Sequence, residues 1–256
     1  MSNVTEPSEP TESKNAAPNE LASLRIRYRV RFQKTGLLRW ISHRDLAGLW
    51  ERIVRRAALK LSMSEGFHPK PRIAFPSALA LGVEGLDEVV ELELAENISP
   101  AELLRRLEND NQPGLIIKSV SQLPEAFGKG QLKQSQFSVT LPEHADAAAI
   151  QAAITRLLGQ ATVTVERKKK TLVANVAEQI LNLELSGDRL RLTLAASDSA
   201  SLKPHDVLDL LGFDDWIENG SLVIRERVIL ENEFQSDNPA EVAIATDATH
   251  NTTTEY

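Results

Sequence analysis

Arginine occupies every second position at the start of the first strongly patterned segment, Leu24 to Gln33. The row consists of Arg25, Arg27, Arg29 and Arg31. Guanidinium groups bind carboxylates and phosphates, often through two parallel hydrogen bonds. The row therefore predicts a ladder of ion pairs, a face buried against the second half of the chain, or a surface that binds the phosphates of a polyanion such as RNA.

The segment that follows offers a second anion site, at Ser42, His43, Arg44 and Asp45. Ser42 is a good N-cap, and Asp45 stands at the position of a capping-box partner. The free amides of a first helical turn attract anions such as phosphate. Lys34 and Arg39 precede this point, and Arg39 is placed to approach it from the turn. The structural alternative is simply a capped helix start.

The stretch GFHPKPR, residues 66–72, is the third candidate. Its glycine and two prolines favour a preshaped loop, which would carry His68, Lys70 and Arg72. His43 and His68 would be the acid–base pair of an RNA-cleaving enzyme. A helix of about 19 residues separates them, nearly 30 Å at about 1.5 Å per residue, which weighs against a shared substrate.

A fourth cationic group ends a strand in the second half of the chain. It consists of Arg167, Lys168, Lys169 and Lys170. Such a run is typical of a solvated loop, but it could also extend a polyanion track. The three tryptophans are expected in the core or at its rim, with Trp50 on a buried helical stripe.

The composition excludes several kinds of chemistry. The chain has no cysteine, which excludes disulfides, thiolate metal sites and cysteine nucleophiles. Its five histidines show no metal-ligand spacing, and the phosphate-loop, dinucleotide and serine-nucleophile motifs are missing. We therefore expect no metal and no cofactor, and a catalytic activity of its own is not indicated.

Charge and hydropathy indicate a cytoplasmic protein with one basic region. The chain carries a net charge of −7, yet residues 24–72 hold 13 Lys and Arg against three acids. A basic region between acidic ends suits a polyanion partner. No run of 18 apolar residues is found, and the start does not read as a secretory signal, so no membrane partner is expected.

The element pattern predicts an α+β protein of two tandem ferredoxin-like domains, each β-α-β-β-α-β. We expect a disordered tail at 1–22, domain 1 at 23–124, a linker at 125–135, domain 2 at 136–232 and a disordered acidic tail at 233–256. In domain 1 the apolar residues of the first strand must face the helices, so its arginines point to the open face. Glu91 and Glu93 of the third strand can pair with only two of them, which leaves a positive surplus.

The segment RVRFQKTGLLRWISHRD and the later SEGFHPKP closely resemble the radical SAM-linked protein family, whose function is uncharacterised. The matching residues are Lys34, Thr35, Gly36, Leu38, Arg39, Ser42, His43, Asp45, Ser64, Gly66, Phe67, His68, Pro69 and Pro71. The resemblance covers about residues 24–230 and implies a protein encoded beside, or fused to, a radical SAM enzyme that has a cobalamin-binding region. The chain departs from the pattern at Arg44, where the family tends to have leucine.

Three functions follow as expectations. The first is a non-catalytic accessory protein to a radical SAM enzyme that binds structured RNA, transfer or ribosomal, through the basic surface of domain 1. The second is a metal-independent endoribonuclease that uses His43, by weak fold-level similarity to the repeat-processing proteins of CRISPR systems. The third is a pure protein–protein adaptor whose arginine row docks on an acidic partner.

Overall fold

The computed structural model describes residues 24–167, 170–197, 201–234 and 240–241. The tail expected at 1–22 lies outside the described residues, as does most of the tail expected at 233–256, of which only 233–234 and 240–241 are described. Glu233 is held by an ion pair with Arg31, and Ala240–Glu241 form a short strand.

Within the described residues the chain is a mixed α+β protein built on one large sheet of nine strands. The strands of the first half are β1 Ile26–Lys34, β2 Ile73–Ala74, β3 Glu84–Leu94 and β4 Leu115–Gln122. Those of the second half are β5 Leu132–Thr140, β6 Thr162–Arg167, β7 Lys170–Asn175, β8 Ile180–Ser186, β9 Arg189–Ala195 and β10 Val223–Leu230, followed by β11 Ala240–Glu241. The helices are α1 His43–Arg56, α2 Pro100–Glu108, α3 Ala147–Leu158, α4 Val176–Gln179 and α5 Pro204–Leu211, with a 3₁₀ helix at Gly36–Trp40.

The sheet runs in the order β11-β4-β1-β3-β10-β5-β9-β8, with β2 beside β3 and with β6 and β7 as a separate hairpin. Neighbours within each half pair antiparallel. The two halves join where β10 pairs parallel with β3, at Ile224 to Glu84 and Arg225 to Gly85. The two expected domains therefore share one sheet.

Each half packs its helices on one face of the sheet and forms its own core. Tyr28, Val30 and Phe32 of β1 are fully buried against α1 and α2, as their alternation predicts. The Ser42 hydroxyl accepts a hydrogen bond from the Asp45 amide, so the predicted N-cap of α1 is confirmed. No helix among the described residues is long and apolar enough to cross a membrane.

Some element boundaries differ from the prediction. The pattern β-α-β-β-α-β requires a second strand in the first half, and this is β2, only two residues long, since Pro76 cannot donate to a ladder. The linker is shorter than expected because β5 already starts at Leu132. The N-cap of α5 is Lys203, which precedes Pro204 in the first turn.

Candidate functional site

The arginine row of β1 is paired with carboxylates over most of its length. Arg29 donates to Glu91 Oε1 from NH2 at 2.8 Å and from Nε at 3.2 Å, and Arg27 donates to Glu91 Oε2 at 2.9 Å. Arg31 donates to Asp87 Oδ2 at 2.7 Å and to both oxygens of Glu233 at 2.9 Å.

Two chain segments cover this face of the sheet. Residues 127–130 supply the carbonyls of Phe127 and Gly128 to Arg27, and the guanidinium of Arg29 lies 5.5 Å from the centre of the Phe127 ring. Residues 228–234 supply the Asn232 carbonyl to Arg29 at 2.9 Å. Arg29 and Glu91 are consequently 4% and 5% exposed.

The expectation of an open face with a positive surplus was therefore wrong. The alternation of β1 placed the arginine side chains on the correct face of the sheet. However, five carboxylates, and not two, form ion pairs with the basic residues of that region. They are Glu65, Asp87, Glu91, Glu93 and Glu233. Asp87 could have been found from the sequence, because it shares the period-two parity of Glu91 on β3. Glu233 could not, because it follows β10 in the other half. Arg25, paired with Glu65 at 2.8 Å, is the exposed end of the row.

Lys34 is buried and supports the 3₁₀ helix that follows β1. Its Nζ donates to the carbonyls of Arg39 at 3.4 Å and Ile41 at 3.3 Å. Burial lowers the pKa of Lys34, against the opposing attraction of Glu88. Lys34 was a candidate for anion binding, and its 1% exposure excludes contact with a ligand in solution.

Glu84 fixes the same turn from the side. Its Oε1 accepts hydrogen bonds from the Gly36 amide at 2.8 Å and from Arg39 NH1 at 3.3 Å. Gly36 has φ of 60°, which favours glycine. The Nε of Arg39 is buried and has no hydrogen-bond partner within the described residues.

This turn presents an apolar patch, which consists of Leu37, Trp40 and Leu81. Their exposures are 88%, 57% and 60%. Leu37 and Trp40 are three residues apart, so they lie on one side of a 3₁₀ helix. The Trp40 ring lies so close to Gly82, next to Leu81, that a Cβ there would sit 3.1 Å from it. The Arg39 guanidinium lies 5.1 Å from the Trp40 ring centre.

Hydrogen bonds between Ser42 and Asp45 cap the start of α1. The Ser42 hydroxyl donates to Asp45 Oδ2 at 2.6 Å, and this hydrogen bond lowers the pKa of Asp45. The His43 ring packs edge-on against Phe75, with 5.1 Å between ring centres. Arg44 is exposed. Because the Asp45 carboxylate already places a negative charge beside the first-turn amides, it would compete with an external anion for the predicted site.

The GFHPKPR stretch forms the tip of a hairpin. Ser64 and Lys70 pair through their backbones at 2.8 Å, and His68 and Lys70 are exposed. Arg72 lies at the base, where Nε donates to the Met63 carbonyl at 3.2 Å and lies 3.7 Å from Glu93. The hairpin base bonds to Glu93, so it lies at the end of the sheet where β1 begins, whereas His43 follows the end where β1 stops.

The basic run at the end of β6 is only partly described. Arg167 donates to Asp206 Oδ2 at 2.6 Å and to the Ser201 carbonyl at 2.8 Å. Lys168 and Lys169 lie outside the described residues, as does the side chain of Lys170. The structure thus brings Arg167 to the start of α5, and polyanion binding by the three lysines stays a prediction.

The sequence prediction missed a buried ion pair between the halves. Arg225 of β10 donates from Nε to Glu88 Oε1 at 2.7 Å, and its NH2 donates to Glu88 Oε2. Its NH1 also donates to Ser77 Oγ and to the Ala78 carbonyl. Both side chains of the pair are 4% exposed. The sequence does not single out Arg225, because β10 carries three consecutive charged residues, 225–227, and the partner Glu88 is 137 residues away.

Within the described residues, no three His, Asp or Glu side chains are grouped to hold a metal ion.

Three comparisons relate the chain to known proteins. A search of curated proteins found no match. Among solved structures, the crystal structure of an unknown protein from Galdieria sulphuraria aligns with 13% identity over 80% of this chain and 99% of that chain, at a TM-score of 0.26, which is too low to argue from. The profile of a bacterial family matches residues 27–204. The chain therefore belongs to the family described as uncharacterized protein conserved in bacteria, DUF2344.

Proposed function

We propose that this chain is a non-catalytic accessory protein that docks on a partner enzyme through the apolar patch Leu37, Trp40 and Leu81. The observation that carries the proposal is the exposure of three large apolar side chains. Leu37 and Trp40 lie on the 3₁₀ turn, which is held by hydrogen bonds from Lys34 and to Glu84, and Leu81 lies on the neighbouring segment, whose Gly82 amide donates to the Arg39 carbonyl. Contiguous exposed apolar surface is typical of sites of protein interaction.

The chemistry of the patch suits a protein partner. Tryptophan and arginine supply most binding hot spots, and here Trp40 lies beside Arg39. The turn is fixed beforehand by buried Lys34 and by Glu84, so little conformational entropy is lost on association. Four of the family-like residues, Lys34, Gly36, Leu38 and Arg39, thereby act to present the patch.

The partner we propose is a radical SAM enzyme, which is what the resemblance of the motif residues implies. A cytoplasmic location is part of the same proposal. We further propose that each half is a ferredoxin-like unit. The strand orders β4-β1-β3-β2 and β10-β5-β9-β8, with antiparallel neighbours, support this assignment.

The test is co-expression with a cobalamin-binding radical SAM enzyme of the kind that the resemblance implies, followed by measurement of Kd. We expect Trp40→Ala to weaken binding about 30-fold, as loss of a hot spot worth about 2 kcal/mol does. Val173→Ser removes an equally exposed apolar side chain, 65% exposed, from the second half and should leave Kd unchanged. Equal affinity of the Trp40→Ala variant and the unmodified protein would refute this docking surface.

Structured RNA is the second candidate ligand, through a surface other than the arginine row. Arg44, Arg52 and Arg55 of α1 are exposed and form no ion pair within the described residues. Asp45 and Glu51 lie on the same helix, so the surplus is small. We expect Arg52→Glu with Arg55→Glu to weaken RNA binding and to lower its salt dependence. Retention on transfer RNA at low salt that does not change in this variant would exclude this face. The endoribonuclease alternative stays a prediction: His43 is exposed, and its ring packs edge-on against Phe75.

A further inference from the structure

A cavity of about 290 Å³ opens between the two halves of the molecule. One wall is the segment 77–83 that leads into β3, and the other is formed by β5, the end of β9 and the start of α5. Most of its surface is apolar, with Leu79, Val83, Phe137, Leu194 and Leu202 among its lining residues. Cavities near 300 Å³ are at the lower end of the range that holds small organic ligands.

The charged groups that line the cavity are all basic. They are Arg167, Lys203, His205 and Arg225, and no carboxylate is among the described lining residues. The carboxylate partners lie outside the lining. Glu88 holds Arg225, and Asp206 holds Arg167. Every nitrogen of the Arg225 guanidinium already donates, to Glu88, Ser77 or Ala78, so Arg225 contributes charge and not a free donor. Arg167 is fixed by Asp206 through Nε and NH2.

Ser135 adds a polar group to the cavity wall. The residue is 4% exposed, and its hydroxyl forms no hydrogen bond within the described residues, so it can donate to an occupant of the cavity. The NH1 of Arg167 is likewise without a hydrogen bond in the described part of the chain, whereas its NH2 and Nε are used.

We propose that this cavity binds a small organic anion. An apolar body would lie against Leu79, Phe137 and Leu202, and a carboxylate or phosphate head would accept hydrogen bonds from Arg167 and Ser135. The cavity does not involve the apolar patch, so this site is independent of the docking proposal.

The test is calorimetric titration of the full chain with four probes. Phenyl phosphate and phenylacetate share an apolar body and differ in their head, 2-phenylethanol has the body without the charge, and inorganic phosphate has the charge without the body. We expect one site per chain for at least one aromatic anion, with affinity at least tenfold above that for 2-phenylethanol and for inorganic phosphate. The stronger of the two anions identifies the head group.

The variant Arg167→Gln should lower the affinity at least tenfold, since a charged hydrogen-bond donor is lost. Arg191→Gln is the matched control, because Arg191 is exposed on β9 and does not line the cavity. Arg167 also pairs with Asp206, so Ala195→Leu is a second variant that fills the cavity without touching an ion pair. Loss of binding in Ala195→Leu with an unchanged Tm supports the site. The proposal is overturned if no aromatic anion binds, if inorganic phosphate binds as tightly, or if affinity is unaffected in Ala195→Leu.

Discussion

Glu91 is the carboxylate on which the covered arginine row depends, and its replacement by glutamine is the sharpest test of the structure. Glu91 accepts three hydrogen bonds, two from Arg29 and one from Arg27. Glu91→Gln keeps the shape of the side chain but removes the charge, so two guanidinium groups under the covering segments lose their counterion.

Breaking a buried ion pair costs about 3–5 kcal/mol. Arg27 keeps the carbonyls of Phe127 and Gly128, and Arg29 keeps that of Asn232, so we expect the lower end, about 3 kcal/mol. For a chain of this size that corresponds to a fall in Tm of about 6–12 °C.

The assay is urea unfolding followed by tryptophan fluorescence, which reports on buried Trp50. Glu93→Gln is the matched control. Glu93 lies two residues away on the same face of β3, but it only approaches Arg72 at 3.7 Å and is partly exposed. We expect its loss to cost less than about 1 kcal/mol. If the two variants differ by less than about 1 kcal/mol, the row is not covered as described.

Two further predictions concern the same cover. Gly130→Ala should destabilise the fold more than Gly128→Ala, measured by urea unfolding, because a Cβ at 130 would sit 2.8 Å from Glu91 Oε1, whereas at 128 the nearest atom is 3.4 Å away. Equal effects of the two alanines would contradict so close an approach. Burial raises the pKa of Glu233, but the hydrogen bond from the Leu230 amide and the attraction of Arg31 outweigh it, so the pKa lies below its ordinary value. The ion pair therefore adds stability above the unfolded pKa, about 4.3, and this stability is lost as the pH falls through the folded pKa. The free energy of unfolding of Glu233→Gln should therefore be lower than that of the unmodified protein at neutral pH and equal to it at low pH. Glu231→Gln is the exposed control. Parallel curves of unfolding free energy against pH for Glu233→Gln and the unmodified protein would contradict the ion pair.

Much of the fold could be predicted from local patterns. The alternation of β1 gave its buried face, and Ser42 with Asp45 gave the start of α1, because strand period and helix caps depend on nearby residues. The same reasoning placed the arginines on the correct face but could not show what covers it. That cover comes from residues 127–130 and 228–234, which are distant in sequence.

The candidate sites were harder to predict for the same reason. The link between Arg225 and Glu88 depends on β10 pairing with β3, and no local period records such a contact. Trp40 was expected in the core or at its rim, yet it is 57% exposed, since the 3₁₀ helix turns it outward. Sequence motifs therefore indicated which turn matters but not which of its side chains face solvent.

The segments that cover the β1 arginines matter for the study of fragments of this protein. Asn232 and Glu233 come from the far end of the chain, so a truncated piece that stops before β10 would leave Arg29 and Arg31 without these partners. Such a fragment would bind nucleic acids and anionic resins nonspecifically more strongly than the intact protein does. Binding observed with such a fragment would result from the loss of Asn232 and Glu233. Ligand screens therefore need the full-length chain.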